Sequence, residues 1–295
     1  KKESFSKILY KLIDNLLFYS LSEDIYNHKI YNIYQLFSRS NKYAIMPNYS
    51  CKSLVIYGSN LESNLGNKKY TNIISHMVNI PNNIYYILTG IILTDGHINI
   101  VSKGDKKNIP GLNINSNSRF YIKQSLNHAE YIFYVFSLLS HYCISPPKLK
   151  KSYLKGKLFY AIEFYTRSLP CFTLLRHKFY NGRIKIIPTD IYDLINYESI
   201  AHMIMCNGAF MIGGGIVLHL QNFTLKELIF LLNVFIIKFN LDCTIHKSRN
   251  KYTIYIKKSS VIELYKDIYS YIIPSMRYKF DLKLTEKYYN NNKFE

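Results

Sequence analysis

Leu88-Thr-Gly-Ile-Ile-Leu-Thr-Asp-Gly96 closes an apolar run that begins at Tyr85, and Ile200-Ala-His-Met-Ile-Met-Cys-Asn-Gly208 closes a second that begins at Tyr197. Asp95 and Asn207 hold the same place in the two, 112 residues apart. Each run predicts a buried helix that stops at an Asp-Gly or Asn-Gly turn, where short polar side chains and glycine release the chain. The chain downstream of each run repeats as well. After the first, His97–Val101 predicts a short strand, Lys103–Asn117 a polar connection and Arg119–Gln124 an alternating strand. Asn127 then predicts the cap of a helix reaching about Cys143, Leu158–Arg167 another strand, and Ser168 the start of a helix to about Tyr180. After the second run, Gly215–Gln221 predicts a strand, and Thr224–Glu227 has the spacing of a capping box that opens a helix to about Asn240. Strands at Asp242–Lys247 and Tyr252–Lys258 follow, then a second capping box at Ser260–Glu263 on a helix that stops before Pro274. Both halves read helix, strand pair, helix, strand pair, helix, so the expected fold is α+β, built from tandem αββαββα halves.

Two small residues in the first run point to a helix contact. Gly90 and Thr94 lie four apart, on one face of a helix, and small side chains there let a second helix approach closely. His202 and Cys206 occupy the matching positions of the second run and predict a less tight, more polar contact. Asp95 is then carried at the helix end, beside that contact. His202 itself reads as a hydrogen-bonded core residue.

Charge bounds the partners. The chain has 295 residues, 38 Lys+Arg against 19 Asp+Glu, and a formal net charge of +19. Residues 85–195 carry fifteen of the basic and six of the acidic residues, the most basic third of the chain. A polyanion, either nucleic acid or an anionic surface, is the partner class such a balance suits. A hydrophobic content of 48% and an aromatic content of 16% argue against overall disorder. Ser199–Leu225 carries no charged residue, but Asn207, Gly213–Gly215, His202 and His219 interrupt it, so it reads as a buried helix, a turn and a buried strand instead of a membrane span. The five cysteines show no CxxC spacing and predict reduced, buried thiols. Abundant Lys, Asn, Ile and Tyr point to an AT-rich coding source, organellar coding included. In the first 84 residues Ile8, Leu9, Leu12, Leu16 and Leu17 predict one helix over Ser6–Ser20 and no chemistry.

With Leu88, Gly90, Ile92, Asp95 and Gly96 in place, the first run resembles the LAGLIDADG motif. Phe120-Tyr-Ile-Lys-Gln-Ser-Leu-Asn127, Phe164-Tyr-Thr-Arg-Ser-Leu-Pro-Cys171, Lys185-Ile-Ile-Pro188, Phe223-Thr-Leu-Lys226 and Pro274-Ser-Met-Arg-Tyr-Lys279 look like further landmarks of the same family. Over about residues 55–280 the chain resembles the two-repeat LAGLIDADG homing endonucleases and maturases of fungal mitochondrial group I introns, with a degenerate second motif. The resemblance implies pseudo-twofold halves whose sheets form a β-saddle. It divides the chain into an N-terminal extension (1–84), a first repeat (85–195), a second repeat (196–280) and a tail (281–295). It implies that Asp95 is a catalytic acid and metal position, that Asn207 stands where a second acid belongs, and that Lys185 is a basic position near the active site. Two-metal phosphodiester chemistry needs carboxylates, and an amide brings no negative charge. Loss of double-strand cleavage is therefore expected.

The basic residues that fit a nucleic-acid surface are Arg119 and Lys123 on one face of a strand, and Lys148, Lys150, Lys151, Lys155 and Lys157 in an acid-free run. Arg167 follows them, and Lys247, Arg249, Lys251, Lys257 and Lys258 flank the second hairpin. Such residues hold phosphates without reading sequence. The expected partner is structured RNA, either a group I intron or mitochondrial ribosomal RNA alongside ribosomal proteins, with duplex DNA as the alternative and no membrane. Binding requires no cofactor, whereas cleavage would require Mg²⁺. The implied location is the mitochondrial matrix.

Overall fold

The computed structural model describes residues 70–100, 117–154, 156–248 and 251–280. The helix expected over Ser6–Ser20, most of the N-terminal extension, the connection at 103–116, Lys155, Arg249 and the tail lie outside the described residues. In chain order the elements are α1 (Asn72–Met77), α2 (Asn82–Leu93), β1 (His97–Ile100), β2 (Ser118–Ser125), α3 (Ala129–Leu139), β3 (Lys148–Leu154) and β4 (Lys157–Tyr165). Then come α4 (Pro170–Phe179), β5 (Tyr180–Asn181), β6 (Ile184–Lys185), α5 (Ile191–Leu194), α6 (Tyr197–Asn207), β7 (Gly208–Phe210) and β8 (Ile216–Leu218). The last are α7 (Leu225–Phe239), β9 (Cys243–Ser248), β10 (Lys251–Ile256) and α8 (Lys258–Ile268). By contact the described chain forms two compact units, one of residues 70–81, 97–100 and 117–173, the other of residues 82–96 and 174–280.

The first unit is an antiparallel sheet in the order β1-β2-β4-β3 with α3 packed on it. Alternation along β2 buries Phe120 and Ile122 and turns Arg119, Tyr121 and Lys123 to the other face, as the sequence predicts. Ile122 sits opposite Phe164, and the Phe136 ring of α3 meets Phe164 edge-on at 5.4 Å. The sequence predicts a second strand pair in this half but places only Leu158–Arg167, and β3 is the partner that it leaves unplaced. Its Lys-Leu-Lys-Lys run lacks an apolar face, yet it pairs with β4 over its whole length. It can do so because it is the sheet's outer strand, where lysines are tolerated and discourage pairing with other chains.

The second unit contains both motif helices. Its sheet has the order β7-β8-β10-β9, and α7 packs on β9 and β10 through Leu228, Leu231, Val234 and Phe235. The Thr224–Glu227 capping box forms as expected: the Glu227 amide donates to Thr224 Oγ1 at 3.3 Å, and Glu227 Oε2 accepts from the Thr224 amide at 2.8 Å. The second expected box does not form. α8 starts at Lys258, and Ser260 Oγ accepts the amide of Asp242 at 2.7 Å, which ties the helix to β9 instead of to itself. Asn127 is likewise no cap, because it lies in a 3-10 turn (Leu126–His128) that leads into α3. The sequence predicts a turn where β7 lies, since this apolar, glycine-ended segment shows no alternation. Its pairing with β8 supplies the order that the sequence lacks. Among the described residues no helix is long and apolar enough to cross a membrane, and Cys143, Cys171, Cys206 and Cys243 are buried and free of disulfides.

Candidate functional site

The two motif helices touch at their small residues. A Cβ built on Gly90 would collide with the carbonyl oxygen of Ser199 and lie 3.0 Å from its Cα, so only glycine permits this approach. Ser199 Oγ donates to the Tyr86 carbonyl at 2.8 Å across the pair. Ser199 also takes part in the capping box that Asn196 makes at the start of α6. Thr94 closes α2 by donating its hydroxyl to the carbonyls of Gly90 (2.9 Å) and Ile91 (3.1 Å). His202 is fully buried in α6, and burial lowers its pKa to about 3, so it is a neutral core residue.

A buried lysine closes the end of each helix. Lys185, carried on β6, donates to the carbonyls of Thr94 (3.0 Å) and Gly96 (2.9 Å) on either side of Asp95. Lys279, in the 3-10 turn Pro274–Lys279, donates to the carbonyl of Cys206, next to Asn207. Both ammonium groups satisfy carbonyls at helix C-termini, where positive charge is favoured. By sequence Lys279 is only part of the Pro274–Lys279 landmark and not a site residue. Its equivalence to Lys185 appears only in these matching contacts, because the two sit in a short strand and a 3-10 turn respectively.

Burial lowers the pKa of Lys185 to about 8, opposed by the negative charge of Asp95 and then by Cys206. It lowers that of Lys279 as well, opposed by Cys206 and Asp95. Below pH 8 Lys185 is charged folded and unfolded, and the folded state carries the desolvation cost. Between about pH 8 and the unfolded value of 10.5 the unfolded chain holds the extra proton, so this group makes stability rise with pH. Denaturant titrations across that window should show the rise in the wild type, and Lys185→Met should lack this part of the slope.

Asn207 does not copy Asp95. Its amide Nδ2 donates to the His219 carbonyl at 3.2 Å, while the His219 amide donates back to the Asn207 carbonyl at 3.1 Å. These bonds tie the end of α6 to the chain just past β8. A carboxylate at 207 would face that carbonyl without a donor. The donor set here is therefore one carboxylate, one uncharged amide, and two buried ammonium groups, a single negative charge beside two positive ones. It does not fit a pair of divalent cations. Among the described residues, no group of three or more His, Cys, Asp or Glu could hold a metal ion.

The expected phosphate-binding residues fall in several environments. In the first unit Lys123, Lys148, Lys150 and Lys151 are exposed. Lys150 lies 3.5 Å from Glu163, which also accepts a 2.8 Å hydrogen bond from Tyr121. Burial raises the pKa of Tyr121 to about 12, assisted by Glu163. Arg119 lies over the Tyr165 ring at 4.4 Å. Arg167 is placed apart from these residues, buried with its guanidinium over the Tyr70 ring at 4.2 Å. It lies two positions past the end of β4 at Tyr165 and so leaves the alternation that sequence spacing assumes. The side chain of Lys157 lies outside the described residues. In the second unit Lys247, Lys251, Lys257 and Lys258 are exposed, and Lys257 pairs with Asp242 at 2.8 Å.

A model of the LAGLIDADG DNA endonuclease family matches residues 85–264. The chain is 32% identical over 168 residues to the cytochrome b mRNA maturase bI2 of Debaryomyces hansenii, covering 55% of this chain and 64% of that protein. It is 30% identical over 229 residues to the cytochrome b mRNA maturase bI2 of Saccharomyces cerevisiae, covering 73% of this chain and 51% of that protein. It thus spans half to two thirds of the length of these relatives. Among solved structures it is similar to the homing endonuclease I-WcaI bound to its DNA recognition sequence, with 28% identity and a TM-score of 0.63 over 76% of this chain and 99% of that one.

Proposed function

Because the chain belongs to the LAGLIDADG DNA endonuclease family, we propose that it is a nucleic-acid-binding protein that has lost double-strand cleavage and holds structured RNA. The observation that carries this reading is the state of Asn207. The second acid position is an uncharged amide whose Nδ2 donates to the His219 carbonyl, while the lysine-bearing strands remain exposed. The similarity to two proteins named as cytochrome b mRNA maturases favours a group I intron RNA in the mitochondrial matrix. A ribosomal RNA scaffold among ribosomal proteins would use the same lysines. Binding through phosphates needs no cofactor.

A second reading keeps a DNA endonuclease or nickase with Mg²⁺. It is favoured by Asp95 and Lys185 standing together at the end of α2 and by the similarity to the DNA-bound I-WcaI. Sequencing of nucleic acid crosslinked to the native protein separates the two. One intron or ribosomal RNA supports the first reading. Magnesium-dependent linearisation of DNA at one site, abolished by Asp95→Asn, would overturn it. Asn207→Asp should leave the protein inactive and cost about 1 kcal/mol, since it replaces a hydrogen bond with a repulsive oxygen pair. Recovered cutting in that variant would contradict the reading.

A further inference from the structure

The β3–β4 ribbon of the first unit ends in apolar side chains that the fold leaves uncovered. Tyr153 is 74% exposed, Phe159 48% and Leu158 41%. Gly156, with φ +75°, closes the turn between the strands. Tyr153 stands opposite Leu158, and both share a ribbon face with Lys151, which stands opposite Tyr160. Phe159 stands opposite Ser152, on the other face with Lys148 and Lys150. On one face Tyr153 thus has Lys151 about 7 Å back along β3, and on the other Phe159 has Lys150 as its diagonal neighbour on the adjacent strand. Residues 148–160 contain no acid. The ribbon at the same place in the second sheet, β9–β10, carries exposed Lys247 and Lys251, yet among the described residues it has no large exposed apolar side chain. The rings are therefore particular to the first ribbon and are not needed to build it.

We infer that the tip of the β3–β4 ribbon is a binding subsite for unpaired nucleobases, with Tyr153 and Phe159 as stacking platforms and Lys148, Lys150 and Lys151 holding the adjoining phosphates. The inference rests on reading the chain as a nucleic-acid-binding protein. A ribbon tip with five lysines over residues 148–160, and its one acid further back where Glu163 stands beside Lys150, selects a polyanion, and exposed aromatic rings add affinity only where bases are unstacked and can reach them. A fully paired helix buries its base faces and can use the lysines alone. The subsite would therefore favour loops, bulges and single strands over duplex.

The test uses the full chain and fluorescence anisotropy with three probes: an RNA stem bearing an unpaired loop, the same stem fully paired, and a single-stranded DNA. The double variant Tyr153→Ala/Phe159→Ala is expected to bind the looped RNA on the order of tenfold more weakly and the paired stem as the wild type does. The conservative pair Tyr153→Phe/Phe159→Tyr should retain binding. A 2-aminopurine placed in the loop should be quenched by the wild type and not by the double variant. Thermal unfolding should be unchanged, because both side chains are exposed. An equal loss on the DNA strand assigns the subsite to the unpaired base in general, and a loss confined to the loop assigns it to RNA. If the wild type binds no probe, the underlying nucleic-acid reading fails. If it binds, but the double variant loses nothing or loses equally on loop and duplex, the stacking subsite is wrong and the wider reading stands.

Discussion

Raising the salt from about 50 to about 200 mM is expected to weaken binding of a structured RNA by about 10²–10³-fold. The figure follows from counting cations that face solvent. Lys123, Lys148, Lys150 and Lys151 in the first unit and Lys247, Lys251 and Lys258 in the second are exposed. Lys257 is set aside because Asp242 lies 2.8 Å from it, and Lys150 counts for less because Glu163 is near. About five phosphate contacts give a log–log slope near −4.5 on duplex and near −3.5 on single strands. Anisotropy titrations at four salt concentrations measure it. The triple variant Lys148→Gln/Lys150→Gln/Lys151→Gln should flatten the slope by about 2–3, weakening all sequences alike. A wild-type slope near zero would mean that the formal charge of +19 does not act on phosphates at all.

Gly90→Ala is expected to destabilise the second unit by about 3 kcal/mol and to lower its melting temperature by roughly 6–12 °C. A methyl group at this position meets the backbone of Ser199, which cannot rotate away as a side chain could. Moving α6 outward would relieve the clash, but it would stretch the 2.8 Å bond from Ser199 Oγ to the Tyr86 carbonyl and disturb the capping box at Asn196. Gly213→Ala is the control. No atom lies within 4 Å of a Cβ there, so the change should stay within about 0.5 kcal/mol. Calorimetry on the full chain compares the two. Equal melting temperatures would show that the helices can separate without cost and that the close approach at Gly90 does not hold the pair together.

Much of the architecture was legible because periodicity and punctuation survive in a single sequence. Phe120 and Ile122 alternate with Arg119, Tyr121 and Lys123, and the sheet sorts them to opposite faces as that pattern requires. Thr224 and Glu227 have the spacing of a capping box and make one. Ser260 and Glu263 have the same spacing and do not, because a hydroxyl can accept one nearby amide or another and Asp242 is placed to supply it. β3 stayed hidden because an outer strand needs no apolar alternation. The pattern over Leu158–Arg167 predicts a strand that runs through Arg167, but the strand ends at Tyr165 and the guanidinium rests on Tyr70, almost a hundred positions earlier.

The sequence alone determined the repeat, the family resemblance, the excess of positive charge and the mismatch between Asp95 and Asn207, since each is a matter of residue identity and spacing. Tertiary structure alone decided what that mismatch does. Only folding brings His219 to the amide of Asn207, Lys185 to the carbonyls flanking Asp95, and Lys279 to the carbonyl beside Asn207. These partners are twelve to ninety-one positions apart in the chain. Hydrogen bonds of that reach are set by which backbone groups a packed helix end leaves unsatisfied, and no local pattern in the sequence records them.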